Sequence, residues 1–152
     1  ELNDVLAKKG CERVIELVKD KFYTNIPIHR CTPGFLCQFG ITSDETKKHW
    51  HTNSIEDDKC INVLVEKYSI CFAGSGPNTR STQLFIPFRR LNWLGEQPWE
   101  TPLGKVIEGE DVIDLLQGKD INLNQPELLE STERCGYDVD FINKCSIIEV
   151  IN

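Results

Sequence analysis

The segment that decides the fold is one strand–turn–strand pattern of twelve residues, His29-Arg30-Cys31-Thr32-Pro33-Gly34-Phe35-Leu36-Cys37-Gln38-Phe39-Gly40. Pro-Gly is a strong turn signal, and short strand-like runs lie on both sides of it. Because side chains alternate along a strand, Leu36 and Gln38 share a face, with Arg30 on the partner strand. The segment therefore predicts a cation, an amide and apolar side chains on one sheet surface. The alternative is that Arg30 forms an ordinary surface ion pair and Gln38 lies at a sheet edge.

Outward from this segment, the pattern predicts many short strands and few helices. Apolar residues at helical spacing predict helices over 9–22, 109–116 and 126–134, and we expect Val112, Ile113, Leu115 and Leu116 to face inward. The polar residues 42–59 predict a long surface excursion. Strands are predicted over 26–31, 35–41, 61–65, 68–73, 83–88, 103–107 and 147–151. This order favours one antiparallel barrel or sandwich with helical caps.

Composition limits the classes of function. The chain has 152 residues, enough for one domain with a real core, and a net charge of −7. That charge argues against nucleic-acid binding, and no apolar run is long enough to span a bilayer as a helix, so we expect neither partner. The sequence starts at Glu1 and contains no Met. We therefore expect a soluble domain with N-terminal processing or an upstream targeting sequence, in an unknown compartment.

The seven cysteines predict neither a zinc ribbon nor a thioredoxin-like site, because no C-x-x-C is present. Cys11, Cys37 and Cys71 lie within apolar patterns and are expected in the core. Cys135 and Cys145 could pair in an oxidising compartment, which spacing alone does not decide. His49-Trp50-His51 with Cys60 lacks a fourth ligand, so a polar loop is favoured and no metal or cofactor is expected.

Two further segments share the chemistry of the first. In the segment from Phe72 to Ile86, a small-residue loop leads into a strand that presents Gln83 and Phe85 on one face. A phosphate cradle is disfavoured there, because no glycine-rich phosphate motif is present and no helix follows. The third segment is Trp93-Leu94, a loop, and then Gly104-Lys105-Val106-Ile107-Glu108-Gly109.

In this order and spacing, the three segments resemble the cyclophilin family of peptidyl-prolyl isomerases. The resemblance is strongest over residues 9–116 of a single domain (1–152), with a divergent segment at 117–145 and a closing strand at 146–151. Gln38-Phe39-Gly40-Ile41 is similar to a divergent branch of the family. The resemblance implies a mainly β fold, a closed antiparallel barrel of about eight strands capped by two α-helices. Two strands usually precede the first helix, so N-terminal strands are expected to be missing or displaced.

The resemblance also implies a role for each site residue. Arg30 is the catalytic cation, and Gln38 orients Arg30 and the substrate backbone. The remaining positions bind substrate: a proline-ring pocket of Phe35, Leu36, Phe85 and Leu94, a neighbouring groove of Ala73, Gly74 and Gln83, and Trp93 closing one side. Three positions depart from the family, which often has Met at Leu36, Asn at Gly74 and His where Trp99-Glu100-Thr101-Pro102 stands.

The function implied is cis–trans isomerisation of X-Pro bonds in peptides or proteins, assisting protein folding. The alternative is a weak or inactive cyclophilin-like scaffold, or a docking module for proline peptides within a larger assembly. The polar excursion, the altered loop at 99–102 and the irregular 117–145 segment motivate that alternative.

Overall fold

The computed structural model describes residues 1–59, 62–132 and 139–149. The chain opens with helix α1, Asp4–Lys19, which is capped by the Asn3 side chain accepting from the Leu6 backbone N–H at 3.3 Å. The backbone at Ala7 is not helical (φ −140°, ψ 65°), so the regular part begins close to the predicted residue 9. The helix ends before Lys21, whose φ is +56°, rather than at the predicted residue 22.

The described residues form seven short strands: β1 Ile26–Thr32, β2 Leu36–Phe39, β3 Ser69–Phe72, β4 Leu84–Pro87, β5 Gly104–Lys105, β6 Ile121–Asn122 and β7 Phe141–Ile142. They pair antiparallel in one sheet, in the order β5-β3-β4-β2-β1-β6, with β7 also pairing β1. Five predicted strands appear, most of them shortened. Residues 62–65 contribute only a single bridge, between Val65 and Leu91.

The predicted closed barrel is not what the described residues form. The path of strands runs from β5 to β6, and these two ends do not pair with each other. The three strands β5, β6 and β7 are two residues long, whereas closure requires about eight staggered strands. The coarser prediction, a mainly β fold with helices packed against the sheet, is confirmed.

The C-terminal end of the chain differs from the predicted closing strand, and the N-terminal end makes a single bridge before the first helix. Leu2 makes an isolated bridge to Gly104, and the chain turns helical at Asp4. Residues 147–149 form no strand, and Ile148 is almost fully exposed, whereas residues 150 and 151 of the predicted closing strand lie outside the described residues. The strand that pairs with β1 in this part of the chain is β7.

Among the described residues, three short α-helices accompany the sheet, α2 His49–Thr52, α3 Glu110–Leu115 and α4 Gln125–Glu130, together with a 3-10 helix at Pro98–Glu100. The prediction for α3 was half wrong. Ile113 and Leu116 pack against the sheet, but Val112 is 58% exposed and Leu115 77% exposed. Residues three apart share a helix face, so a helix of six residues that packs on one side cannot bury both pairs.

The two faces of the sheet carry separate apolar clusters. One contains Cys31, Cys37, Ile86, Phe88 and Leu116, and the other contains Leu36, Val65, Cys71, Phe85 and Leu91. Cys11, Cys37 and Cys71 are buried as predicted, and burial raises the pKa of the Cys11 thiol to about 11. The hypothesis that Cys135 pairs with Cys145 involves residue 135, outside the described residues.

The polar excursion is less exposed than predicted, because its end is anchored by a buried arginine. Arg80 is fully buried, with its Nη1 2.9 Å from Asp58 Oδ2 and its Nε 3.4 Å from Asp57 Oδ1. Asp58 also accepts the backbone N–H groups of Lys9 and Gly10 at 2.8 and 3.1 Å. The excursion is thereby tied to α1 and to the loop that leads into β4.

Candidate active site

The hairpin of β1 and β2 brings Arg30 opposite Gln38. Gly34 adopts a φ of +66° after Pro33, and the Phe35 N–H donates to the Thr32 carbonyl at 3.0 Å, which closes the predicted turn. Arg30 pairs with Gln38 in the register, and its Nη1 donates to Gln38 Oε1 at 3.3 Å. Arg30 is half-buried and Gln38 is buried, so the guanidinium lies against the face of the sheet and only part of it is in contact with solvent.

A line of three amides continues from Arg30 across the sheet. Gln38 Nε2 donates to Gln83 Oε1 at 2.8 Å, and Gln83 Nε2 donates to Gln125 Oε1 at 3.1 Å. Gln38 and Gln83 each accept on one side and donate on the other, so the carbonyl of Gln38 faces the guanidinium. The line fixes the orientation of Gln38, and through it that of Arg30. Sequence analysis missed Gln125, which lies on α4 in the irregular segment and has no motif around it.

The four residues predicted for the ring pocket lie in one cluster. Leu36 and Phe85 are buried there, and Phe35 and Leu94 pack against them. The Arg30 guanidinium carbon lies 5.6 Å from the centre of the Phe35 ring. A charged donor therefore borders an apolar surface formed by side chains from β2, β4 and the loops beside them.

The predicted groove lies at one end of this cluster. The Ala73 N–H donates to the Gln83 carbonyl at 2.9 Å, which extends the pairing of β3 with β4. Beyond it, Trp99 packs against Gly74, where an added Cβ would lie 3.2 Å from Trp99 Cδ1. Glu100 turns back into its own loop, with its Oε2 accepting from the N–H groups of Gly95, Glu96 and Gln97. Trp99, rather than Glu100, therefore lies beside the groove.

Trp93 lies at the rim of the cluster and is 53% exposed. Its ring centre is 5.9 Å from that of Phe35, and the Arg89 guanidinium carbon lies 5.3 Å from the Trp93 ring centre. The structure therefore brings Arg30, Gln38 and Gln83 together beside the apolar cluster, with Trp93 at the margin, whereas Gly74 lies against Trp99 and Arg80.

Comparison with known families identifies the chain. The family model described as cyclophilin type peptidyl-prolyl cis-trans isomerase/CLD matches residues 1–135. The chain belongs to the cyclophilin family. The predicted family and its isomerase class are confirmed, and the match extends beyond the predicted residues 9–116.

Individual relatives agree with the family model. This cyclophilin is 32% identical to human peptidyl-prolyl cis-trans isomerase-like 3 over 120 residues, which cover 75% of this chain and 71% of the human protein. It is 30% identical to ppi1 of Schizosaccharomyces pombe over 118 residues, covering 74% and 73%. It is 28% identical over 125 residues to cyp15 of Rhizopus delemar, covering 79% of this chain but only 19% of that protein.

A solved structure supports the cyclophilin fold. The crystal structure of a Cryptosporidium parvum cyclophilin type isomerase, determined in the presence of the dipeptide Ala-Pro, aligns with a TM-score of 0.66 at 21% identity. The alignment covers 95% of this chain and 87% of that chain. At this identity the likeness concerns the fold.

His29 is a second site feature that sequence analysis quoted but did not interpret. The register of β1 shifts between Ile28 and Arg30, so His29 sits in a bulge directly before Arg30. It is 1% exposed, and neither ring nitrogen makes a hydrogen bond. Burial first, and then the Arg30 charge, lower the pKa of His29 to about 4, against an opposing effect of the Gln83 amide. His29 is therefore neutral at physiological pH.

The other histidines do not support a metal site. His51 contacts Thr82 Oγ1 through Nδ1 and the Thr42 carbonyl through Nε2, each at 3.1 Å. Within residues 1–59, 62–132 and 139–149, no group of three or more potential ligands could hold a metal ion, and Cys60 lies outside these ranges. Nor does any helix in the same ranges have the length and apolarity needed to cross a membrane.

Proposed function

We propose that this cyclophilin catalyses rotation about X-Pro peptide bonds, with Arg30 as the catalytic residue. The observation that carries the proposal is the Arg30 guanidinium, fixed by Gln38 at the border of the apolar cluster of Phe35, Leu36, Phe85 and Leu94. The substrates are peptides or proteins with an accessible proline. The C. parvum structure, determined in the presence of an Ala-Pro dipeptide, supports this substrate class.

The reaction requires a hydrogen-bond donor and a surface that binds the proline ring, but no nucleophile. Rotation about a peptide bond faces a barrier of about 18–20 kcal/mol, because twisting removes amide resonance. In the twisted state the proline nitrogen recovers its lone pair and accepts a hydrogen bond more readily. A fixed guanidinium that donates to this nitrogen stabilises the transition state more than either ground state. Arginine suits the task because its charge is permanent and its donors are rigidly arranged.

The surroundings of Arg30 leave its charge available to substrate. None of the described carboxylates forms an ion pair with it, and its one side-chain hydrogen bond goes to the neutral Gln38. In the proposed complex the proline ring packs on Phe85 and Leu36, the peptide backbone extends along Ala73 and Gln83, and Trp93 covers the rim. The ring is then held while the acyl side of the bond turns past Arg30.

The test is an NMR exchange assay on an Ala-Pro peptide, run without a coupling protease. We expect Arg30→Ala to lower kcat/KM by about a hundred- to a thousand-fold, the cost of removing one preorganised charge-stabilising donor. Arg90→Ala is the matched control, because Arg90 is an exposed arginine whose partner is Glu66, 3.7 Å away. Turnover that survives Arg30→Ala unchanged would falsify the assignment.

A second candidate function, a proline-peptide docking module in a larger assembly, is favoured by one observation. Trp99 packs on Gly74, beside the groove that should receive the substrate backbone. If this contact blocks productive binding, the native protein will bind proline peptides without exchange, and Trp99→Ala will restore exchange. Exchange in the native protein excludes the second candidate as the sole function.

A further inference from the structure

The charges on the described arginines divide into two groups. Arg13, Arg80 and Arg90 each lie within 4.0 Å of a carboxylate, with nearest distances of 3.2, 2.9 and 3.7 Å. Among the arginines of the described ranges, Arg30 and Arg89 have no such partner. Arg30 lies over Phe35 of the apolar cluster and Arg89 over Trp93 at its rim, so the unmatched charge of these arginines lies on one side of a chain whose net charge is −7.

Arg89 is held in place by uncharged groups. Its Nε donates to the Gly34 carbonyl at 2.7 Å, and its guanidinium carbon stacks 5.3 Å from the Trp93 ring centre. Trp93 contacts Phe35, and Phe35 contacts Arg30, so two adjacent rings lie between the two cations at the border of the apolar cluster. The two terminal Nη groups of Arg89 remain available to a ligand, on a side chain whose position is already restricted.

The strand register places Arg89 at the opposite end of the pocket from the groove. Leu36 pairs with Pro87 at one end of β2, and Phe39 pairs with Leu84 at the other. Arg89 follows the Pro87 end, whereas Gln83 and Ala73 lie at the Leu84 end. In a peptide whose proline sits on the apolar cluster, the residues on one side of the proline therefore lie along the groove, and those on the other side lie near Arg89.

We propose that Arg89 selects substrates that carry an anionic side chain, a carboxylate or a phosphate, beside the proline on the flank away from the groove. This selectivity rests on the proposed function, because it concerns the same pocket. A guanidinium with restricted motion pairs with an anion at lower entropic cost than a free one, and its planar donors suit either anion. Arg89 is then a specificity-determining residue, distinct from the catalytic Arg30.

The test compares peptides of one length with Glu, Gln or phosphoserine directly before or directly after the proline. Binding is measured by fluorescence titration and isomerisation by NMR exchange. We expect Glu to be favoured over Gln by about two- to five-fold at one flank, the range of an exposed ion pair. Phosphoserine, with its larger charge, is expected to be favoured at least as strongly. The preference should shrink in about 1 M salt, where screening acts over about 3 Å.

Three variants separate charge from structure. Arg89→Gln should abolish the preference, so that the Glu and Gln peptides bind equally well. Arg89→Lys loses the Nε hydrogen bond to the Gly34 carbonyl but keeps the positive charge. Because the charge attracts the anion, this variant should retain most of the preference for Glu over Gln. Arg90→Gln, which removes the neighbouring arginine that pairs with Glu66, should leave the preference unchanged.

The outcomes distinguish this inference from the proposed function. Binding preference without exchange supports anion selection and contradicts catalysis. Anion selection is overturned if exchange occurs but neither Glu nor phosphoserine is favoured over Gln at either flank. It is also overturned if the preference for the anionic peptide persists in Arg89→Gln. Both outcomes leave catalysis standing. Preference for phosphoserine alone supports the proposal with phosphate as the anion. Failure to bind any of the peptides overturns both.

Discussion

Arg30 and Arg80 have the same side chain in opposite surroundings. Arg80 is fully buried, pairs with Asp57 and Asp58, and lies 5.6 Å from the Phe72 ring centre. Arg30 lies at the same distance from the Phe35 ring but is half-buried, and its side-chain hydrogen bond goes to an amide. A guanidinium whose charge is matched within the fold serves as an anchor, whereas one left unmatched beside an apolar pocket can act on a ligand.

The largest loss of stability is expected on removing Arg80, whose charge is matched by two carboxylates. Arg80→Met leaves Asp57 and Asp58 without their partner, and breaking a buried pair typically costs about 3–5 kcal/mol of unfolding free energy. Urea unfolding of native and variant protein measures the loss, with Arg90→Met as the control. A change below about 1 kcal/mol would mean that Arg80 is not an anchor, and the comparison would fail.

A somewhat smaller effect concerns His29, the buried neighbour of Arg30. Its pKa is about 4 in the fold, against about 6.5 in the unfolded chain, so the unfolded chain binds more protons between these values. The stability that the neutral ring contributes is present above pH 6.5 and is lost as the pH falls towards 4, by up to about 3 kcal/mol.

The pH effect is checked by urea unfolding at pH 7 and pH 4, in native protein and in His29→Gln. Because His51, whose pKa burial also lowers, is common to both proteins, its contribution cancels in the difference. The variant should lose less stability on acidification than the native protein. Equal losses would show that His29 is not held neutral beside Arg30.

The smallest effect on stability is expected at Arg30 itself. Arg30→Ala removes one hydrogen bond of a half-buried group, which costs about 0.5–1.5 kcal/mol, and leaves no carboxylate behind. Urea unfolding should therefore show a well-folded variant even though isomerase activity is lost. If Arg30→Ala were as unstable as Arg80→Met, the division into anchor and ligand-binding arginine would be wrong.

Local patterns predicted the centre of the site well. The turn at Pro33-Gly34 and the alternation along two strands are enough to place Arg30 opposite Gln38, because both depend on near neighbours in the chain. The family resemblance added Phe85 and Leu94, which the sheet brings to the same cluster.

Other features depend on contacts that local patterns do not contain. Arg80 and Asp58 are charged residues in polar segments, and their burial arises only when α1 packs over them. The bulge at His29 breaks the alternation on which strand predictions rest. Likewise, the exposure of Val112 and Leu115 follows from how little of the sheet a six-residue helix can cover.

The contact between Gly74 and Trp99 has a consequence for how this protein can evolve. A Cβ at position 74 requires Trp99 to shift by a few tenths of an ångström, and a longer side chain requires more. A change from Gly to Asn at position 74 would therefore pass through a strained intermediate unless position 99 had become smaller first. The order of the two substitutions matters, because only one order avoids the strain.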